Sequence, residues 1–121
     1  MMAAPAVQDI RVRRAARCMD IVFSDGIEAS LPAEYLRVES PSAEVQGHGP
    51  GQKRIIAGKR AVNIQHVEAV GHYAVRIRFT DGHDTGLYSW DVLYALALEQ
   101  AARWSAYLGQ IDALGLSRDP E

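Results

Sequence analysis

Apolar and polar positions alternate along much of the chain up to Tyr88. Ile10 and Val12 are separated by Arg11, and Met19, Ile21 and Phe23 are interrupted by Asp20 and Val22. This period of two is the pattern of strands with one buried face. Asp25-Gly26, between Phe23 and Ile27, predicts a tight hairpin, because glycine adopts the positive φ that such turns need. A third strand runs through Ala29 to Leu31 and stops at Pro32, which lacks the N–H that a ladder requires. Residues 33–37 then read as a single helical turn. Ile64 to Val70, Ala74 to Phe79 and Thr85 to Tyr88 supply three more strands, joined by Gly71-His72 and by Asp81-Gly82-His83-Asp84. Between the two sets lies the stretch 39–58, with glycines and a proline crowded into residues 47–51. It reads as a loop without regular structure.

After Tyr88 the apolar period becomes helical. Ser89 is a good N-cap, and Asp91 places a negative charge at the positive end of the helix dipole. Trp90, Leu93, Leu96 and Ala97 form one stripe, and Trp104, Leu108, Ile111 and Leu114 form a second. Gly115 supplies a stop, and residues 117–121 read as a frayed tail. The expected fold is α+β: an antiparallel meander sheet of about six strands, with two C-terminal helices packed on one face. Trp90, Leu93, Trp104, Leu108 and Ile111 are expected to be buried against Ile21, Phe23, Val75, Ile77 and Phe79. The whole chain, 1–121, reads as one domain with its core between about residues 10 and 115.

Composition narrows the functional classes. The chain has 121 residues, 48% hydrophobic and 23% charged, inside the range of ordinary globular domains. Its one cysteine, Cys18, excludes an internal disulfide and any multi-cysteine zinc or iron–sulfur cage within one chain. A cytoplasmic, reducing location is expected. No apolar run is long enough to span a membrane, and the first residues lack the pattern of a secretory signal, so a membrane partner is not expected. Charge is unevenly placed: residues 1–80 carry 11 Lys and Arg against 8 Asp and Glu, and residues 81–121 carry 2 against 7. Arg11 with Arg13, and Arg76 with Arg78, would form a basic patch if their strands shared a sheet, which suits nucleic acid or an acidic partner. No aromatic residue is interleaved there, which disfavours nucleic acid, and solvated faces balanced by nearby carboxylates are the plainer reading.

Candidate chemistry gathers in two runs. Residues 79–91, Phe-Thr-Asp-Gly-His-Asp-Thr-Gly-Leu-Tyr-Ser-Trp-Asp, pack polar, aromatic and glycine residues between a strand and a helix. Residues 34–49 form the second run, Glu-Tyr-Leu-Arg-Val-Glu-Ser-Pro-Ser-Ala-Glu-Val-Gln-Gly-His-Gly. Ser42, His83 and Asp84 hold the residue types of a nucleophile, base and orienter, but no G-x-S-x-G elbow is present. Asp81 and Asp84 flank His83, a pattern equally served by turn chemistry. The glycines at 47, 49 and 51 precede no helix, so they make no phosphate-cradling loop.

These two runs, with Val67-Glu68-Ala69-Val70-Gly71-His72-Tyr73-Ala74-Val75 between them, resemble the bacterial domain of unknown function 971. That family is in turn similar to the N-terminal domain of gamma-butyrobetaine hydroxylase. The resemblance runs from about Ile10 to Leu114. In the hydroxylases it implies a zinc-binding attachment with three cysteines and a histidine as ligands. Those positions correspond here to Ser40, Ser42, Val45 and His83, so a cysteine zinc site is not expected. The hydroxylase catalytic domain has no counterpart in these residues. The resemblance does imply that the segment 40–48 folds beside His83.

The first functional reading is therefore a non-enzymatic binding or accessory module with another protein as partner and no cofactor. Its site would be Ser42, Glu44, His48, His83, Asp84, Tyr88 and Trp90. Association of related domains with iron–sulfur carrier proteins extends this reading to cofactor handling. A rival reading is a metal-dependent enzyme in which Glu44, His48 and His83 hold zinc or iron. The basic-face binder is a second alternative.

Overall fold

The alternating stretches become strands, but they divide between two sheets. The computed structural model describes residues 4–47, 49 and 51–120. Strands β1 (Val7–Arg13), β2 (Cys18–Phe23) and β3 (Glu28–Pro32) form one antiparallel sheet in that order. Strands β4 (Ile64–Val70), β5 (Ala74–Phe79) and β6 (Leu87–Ser89) form another. The expected six-stranded sheet is thus corrected to two sheets of three. Helix α1 (Ala33–Val38) begins directly after Pro32 and carries the chain into the interior, and β4 pairs with β5 rather than with β3. Each set is nevertheless a meander. The Asp25-Gly26 hairpin forms with Gly26 at φ +89° and Phe23 N donating to Ile27 O at 2.8 Å.

Both sheets bury their inner positions in one core. Met19, Ile21, Phe23 and Leu31 from the first sheet join Ile64, Val75, Ile77, Phe79 and Tyr88 from the second. Between them lie Tyr35 and Leu36 of α1, with Leu93 and Leu96 of α3 (Trp90–Leu98). Fully burying one such aliphatic side chain contributes about 1.5–3 kcal/mol. Helix α1 is buried along its whole length, so its polar residues need partners. Glu34 accepts a bidentate pair from Arg118 at 2.7 and 2.9 Å, and Arg37 Nε donates to Asp81 Oδ2 at 2.8 Å. As the sequence suggests, α3 starts at Trp90, and the Ser89 hydroxyl accepts from Val92 N at 3.2 Å.

Helix α4 (Gln100–Ala113) turns a different stripe inward from the one expected. Tyr107 and Ile111 are buried with Val38, and Trp104, Ile55 and Ile56 pack on them. Leu108 stays 37% exposed, which corrects its assignment to the core. Positions 104, 107 and 111 fit helical spacing as well as 104, 108 and 111 do. The tyrosine wins because its hydroxyl reaches Ile56 O at 2.6 Å. Trp90 and Trp104 are half-buried at the margins of the core rather than inside it.

The polar stretches are also more ordered than expected. Residues 43–46 of the expected loop form a short helix, α2 (Ala43–Gln46), capped by Ser42 Oγ, which accepts from Glu44 N at 3.2 Å. The tail does not fray over 117–120. Gly58 N donates to Ser117 O and Arg60 N to Arg118 O, at 2.8 and 2.9 Å, and the Arg118 side chain holds Glu34 while stacking over Trp104. Among the described residues no helix is long and apolar enough to cross a membrane.

Candidate functional site

Three segments far apart in sequence meet at the His83 ring. The turn from β5 places it: Gly82 N donates to Phe79 O, Phe79 N donates to His83 O, and Asp81 Oδ1 accepts from His83 N at 3.1 Å. The segment after α1 supplies Ser40, whose hydroxyl lies 2.9 Å from His83 Nε2. Helix α2 supplies Glu44, whose carboxylate lies 3.1 Å from Nδ1. Two residues further along both segments, Ser42 Oγ and Thr85 Oγ1 are 2.7 Å apart. A two-rung side-chain ladder, 40 to 83 and 42 to 85, therefore fastens the segment to the turn. Ser42 N adds a bond to Ser40 Oγ at 3.2 Å, and Gln46 Nε2 donates to Ser40 O at 2.8 Å. Gly86 makes room for the ladder, since a Cβ there would stand 2.6 Å from Ser40 Oγ and 3.0 Å from the Tyr88 ring.

The surroundings of the ring favour its neutral form. Burial lowers the His83 pKa, and the Arg37 guanidinium lowers it further, outweighing Glu44 and Asp81. The tautomer that satisfies both partners has its proton on Nδ1, donating to Glu44, while Nε2 accepts from the Ser40 hydroxyl. The close His83–Glu44 contact is thus a hydrogen bond between a neutral ring and a carboxylate rather than an ion pair. Asp81 is the charged anchor beneath. Burial pushes its carboxyl up, but Lys59 Nζ at 2.6 Å, the His83 N–H and Arg37 together hold it down at about 2. Arg37 Nη1 is buried without a hydrogen-bond partner among the described residues. Tyr88 is fully buried and donates to Leu36 O at 2.6 Å; burial pushes its phenol up.

Of the residues singled out from sequence, Ser42, Glu44 and His83 come together. Asp84 is exposed beside them, and Tyr88 packs beneath, against Gly86. Trp90 stands at the start of α3, where its N–H donates to Tyr73 O and its ring packs on the main core. His48 lies outside the described residues. The Ser42, His83, Asp84 array is corrected in two members: the hydroxyl on the imidazole is that of Ser40, and the carboxylate is that of Glu44. Thr85 carried no weight in the sequence reading, Ser40 entered it only as a position corresponding to a zinc ligand, and Asp81 only as a flank of His83. Their signal was the matched spacing of Ser40-x-Ser42 and His83-x-Thr85. The basic patch also changes, because Arg11 and Arg13 lie in the first sheet and Arg76 and Arg78 in the second. Arg13 pairs with Asp20 at 2.8 Å, and Arg76 lies 3.9 Å from Glu68.

Ser40, His83 and Glu44 have the connectivity of a serine nucleophile with its base and orienter, but not the access. Ser40 is 0% exposed, and its hydroxyl is already shared between His83 and Ser42 N. The next residue is Pro41, which has no N–H to stabilise an oxyanion from the position usual in nucleophile elbows. The zinc site implied by the family resemblance does not fit either. A neutral serine hydroxyl is a poor zinc donor, and the buried Val45 side chain has no donor atom. Among the described residues no three His, Cys, Asp or Glu side chains gather in a metal-holding set. Beside the ladder, a groove of about 320 Å³ separates Pro41 and Gln46 from Asp91, Val92 and Ala95 of α3.

Comparison with known proteins matches residues 10–94 to the family described as gamma-butyrobetaine hydroxylase-like, N-terminal. Two proteins with NMR solution structures are similar over nearly the full chain. One is 40% identical with a TM-score of 0.85, covering 98% of this chain and 94% of its own. The other is 45% identical with a TM-score of 0.84, covering 99% and 92%. A crystal structure from Acidithiobacillus ferrooxidans, of a protein of unknown function in the DUF971 family, is 37% identical. It covers 76% of this chain and 92% of its own, with a TM-score of 0.65. No curated protein matches the sequence.

Proposed function

Since this chain belongs to the gamma-butyrobetaine hydroxylase-like N-terminal family, we propose that it is a non-enzymatic binding module whose partner is another protein. The observation that carries this reading is the division of exposure at the ladder. Ser40, Ser42 and His83 are buried and bonded through the Ser40 hydroxyl, with Tyr88 buried beneath on Leu36 O, whereas Glu44 and Asp84 present carboxylates to solvent. The buried groups hold the rim in place, and the rim makes the contact. The two exposed carboxylates of this rim suit a basic segment on the partner. Thr85, also exposed, adds a hydroxyl to the same rim.

A pull-down from native lysate tests the reading, comparing wild type with the double variant Glu44→Ala, Asp84→Ala. The expected outcome is loss of a specific partner with an unchanged circular dichroism spectrum. A folded double variant that retains every wild-type partner overturns the assignment.

A further inference from the structure

Helix α3 has no polar face to give to water. Within Trp90–Leu98 only Asp91 carries a charge, and a helix apolar on every side is ordinarily buried on every side. Here only Leu93 and Leu96 are fully buried. Helix α4, by contrast, turns Ser105, Gln110 and Asp112 to solvent. A lone exposed leucine is common on protein surfaces, but Leu98, at 58% exposure, lines two grooves at once. One, of about 470 Å³, runs over Pro32, Tyr35, Ala97, Ala101 and Trp104 and has no charged lining. The other, of about 670 Å³, has Ala4, Pro5, Tyr94 and Ala95 as its apolar lining. Its remaining members are Asp25, Asp91 and Glu99, so it carries carboxylates and no cation. Glu99 is shared with Arg103 at 3.1 Å. Asp25 and Asp91 are held instead by uncharged donors, the Tyr94 hydroxyl at 2.6 Å and Ala4 N at 3.3 Å.

We propose that the outer side of α3 is a second protein-docking surface, taking an amphipathic segment whose aliphatic side chains seat beside Leu98 and whose Lys or Arg residues meet Asp25 and Asp91. The proposal rests on the reading of the chain as a protein-binding module, but on neither residue of the Glu44 and Asp84 rim. Charge selects the occupant. A nucleic acid or an anionic membrane would bring phosphates against the carboxylates of the larger groove. A second copy docked about a two-fold axis would bring the same carboxylates together. A basic amphipathic segment alone satisfies both halves of the surface, the apolar floor beside Leu98 and the acidic border. Tyr94 gives the larger groove a firm wall, since its ring meets Phe23 edge-on at 5.0 Å while its hydroxyl is bonded to Asp25.

Titration of the isotope-labelled full chain with a synthetic Leu/Lys amphipathic peptide of about three helical turns tests this, read residue by residue from amide NMR shifts. The amides of α3 and of Ala4, Asp25 and Ala101 are expected to shift. A Leu/Glu peptide of the same pattern is expected to leave them in place. Leu98→Gln should weaken binding of the Leu/Lys peptide about tenfold. Asp25→Asn with Asp91→Asn should weaken it by a similar factor and remove most of its salt dependence. Asparagine before Gly26 suits the hairpin turn, so the double variant keeps its fold. If Leu98→Gln does not fold, Leu98→Ala should show the same loss. Equal affinity for the two peptides, or binding that the folded variants leave unchanged, would overturn the proposal. So would a dimer in sedimentation that Leu98→Gln dissociates, or tighter binding to phosphatidylserine than to phosphatidylcholine vesicles that the same variant abolishes. Shifts confined to the surroundings of Glu44 and Asp84 would overturn this surface and leave the rim standing. Shifts at α3, together with a rim variant that keeps every lysate partner, would do the reverse.

Discussion

Two polar seams tie α1 and the segment after it to the rest of the molecule, and they are built from opposite materials. At the His83 seam the joining side chains are mostly short and neutral, a serine hydroxyl on an imidazole and a serine on a threonine, with the exposed Glu44 carboxylate on the other ring nitrogen. At the far side, Glu34 and Glu39 are buried carboxylates held by long cations, Arg118 for the first and Lys53 with Arg103 for the second. A neutral seam leaves little behind when it is cut. An ionic seam, cut on its cationic side, strands a buried charge.

The ionic seam should therefore give the larger effect. Arg118→Ala leaves the Glu34 carboxylate, whose side chain is only 7% exposed, without its cation, and should cost about 3 kcal/mol in denaturant unfolding. Glu34→Gln should cost about 1 kcal/mol, because the released guanidinium can turn to solvent. Equal losses from the two variants would erase the contrast. At the neutral seam, Ser40→Ala leaves His83 Nε2 buried and unpaired and should cost about 2 kcal/mol. Ser42→Ala, which removes a helix cap and the Thr85 contact, should cost about 1 kcal/mol. The reverse order in chemical denaturation would show that Ser40 is not the central hydroxyl.

The smallest effect is one of pH. The folded pKa of His83 lies below its unfolded value near 6.5, so above that value both states are neutral and stability is complete. As pH falls below 6.5 the unfolded chain binds the proton first, and stability drops until the folded pKa is passed. The denaturation midpoint should fall between pH 7.5 and 5.5, and His83→Gln should remove that part of the fall. A midpoint that rises on acidification over this window would mean that Glu44 outweighs burial.

The strands were legible in the sequence because period two marks which residues point inward. It says nothing of which strands are neighbours, so two sheets and one sheet give the same alternation. Helix α2 escaped because four residues span barely one turn and show no periodicity. Its one local sign was Ser42 placed to cap Glu44. On α4, Tyr107 and Leu108 both satisfied the spacing, and only a carbonyl at Ile56, distant in sequence, decided between them. The closeness of Ser40 and Glu44 to His83 followed from the family resemblance. That Ser40 rather than Ser42 meets the ring depends on backbone direction after Pro41, which the residue types do not encode.

The grip on Asp81 carries a kinetic consequence. Its carboxylate is shared by Arg37, Lys59 and the His83 N–H, and the arginine lies 44 residues away along the chain. Closing so long a loop is entropically slow compared with zipping the hairpins on either side. These contacts therefore belong to the native side of the folding barrier, where weakening them hastens escape from the folded state more than it delays arrival.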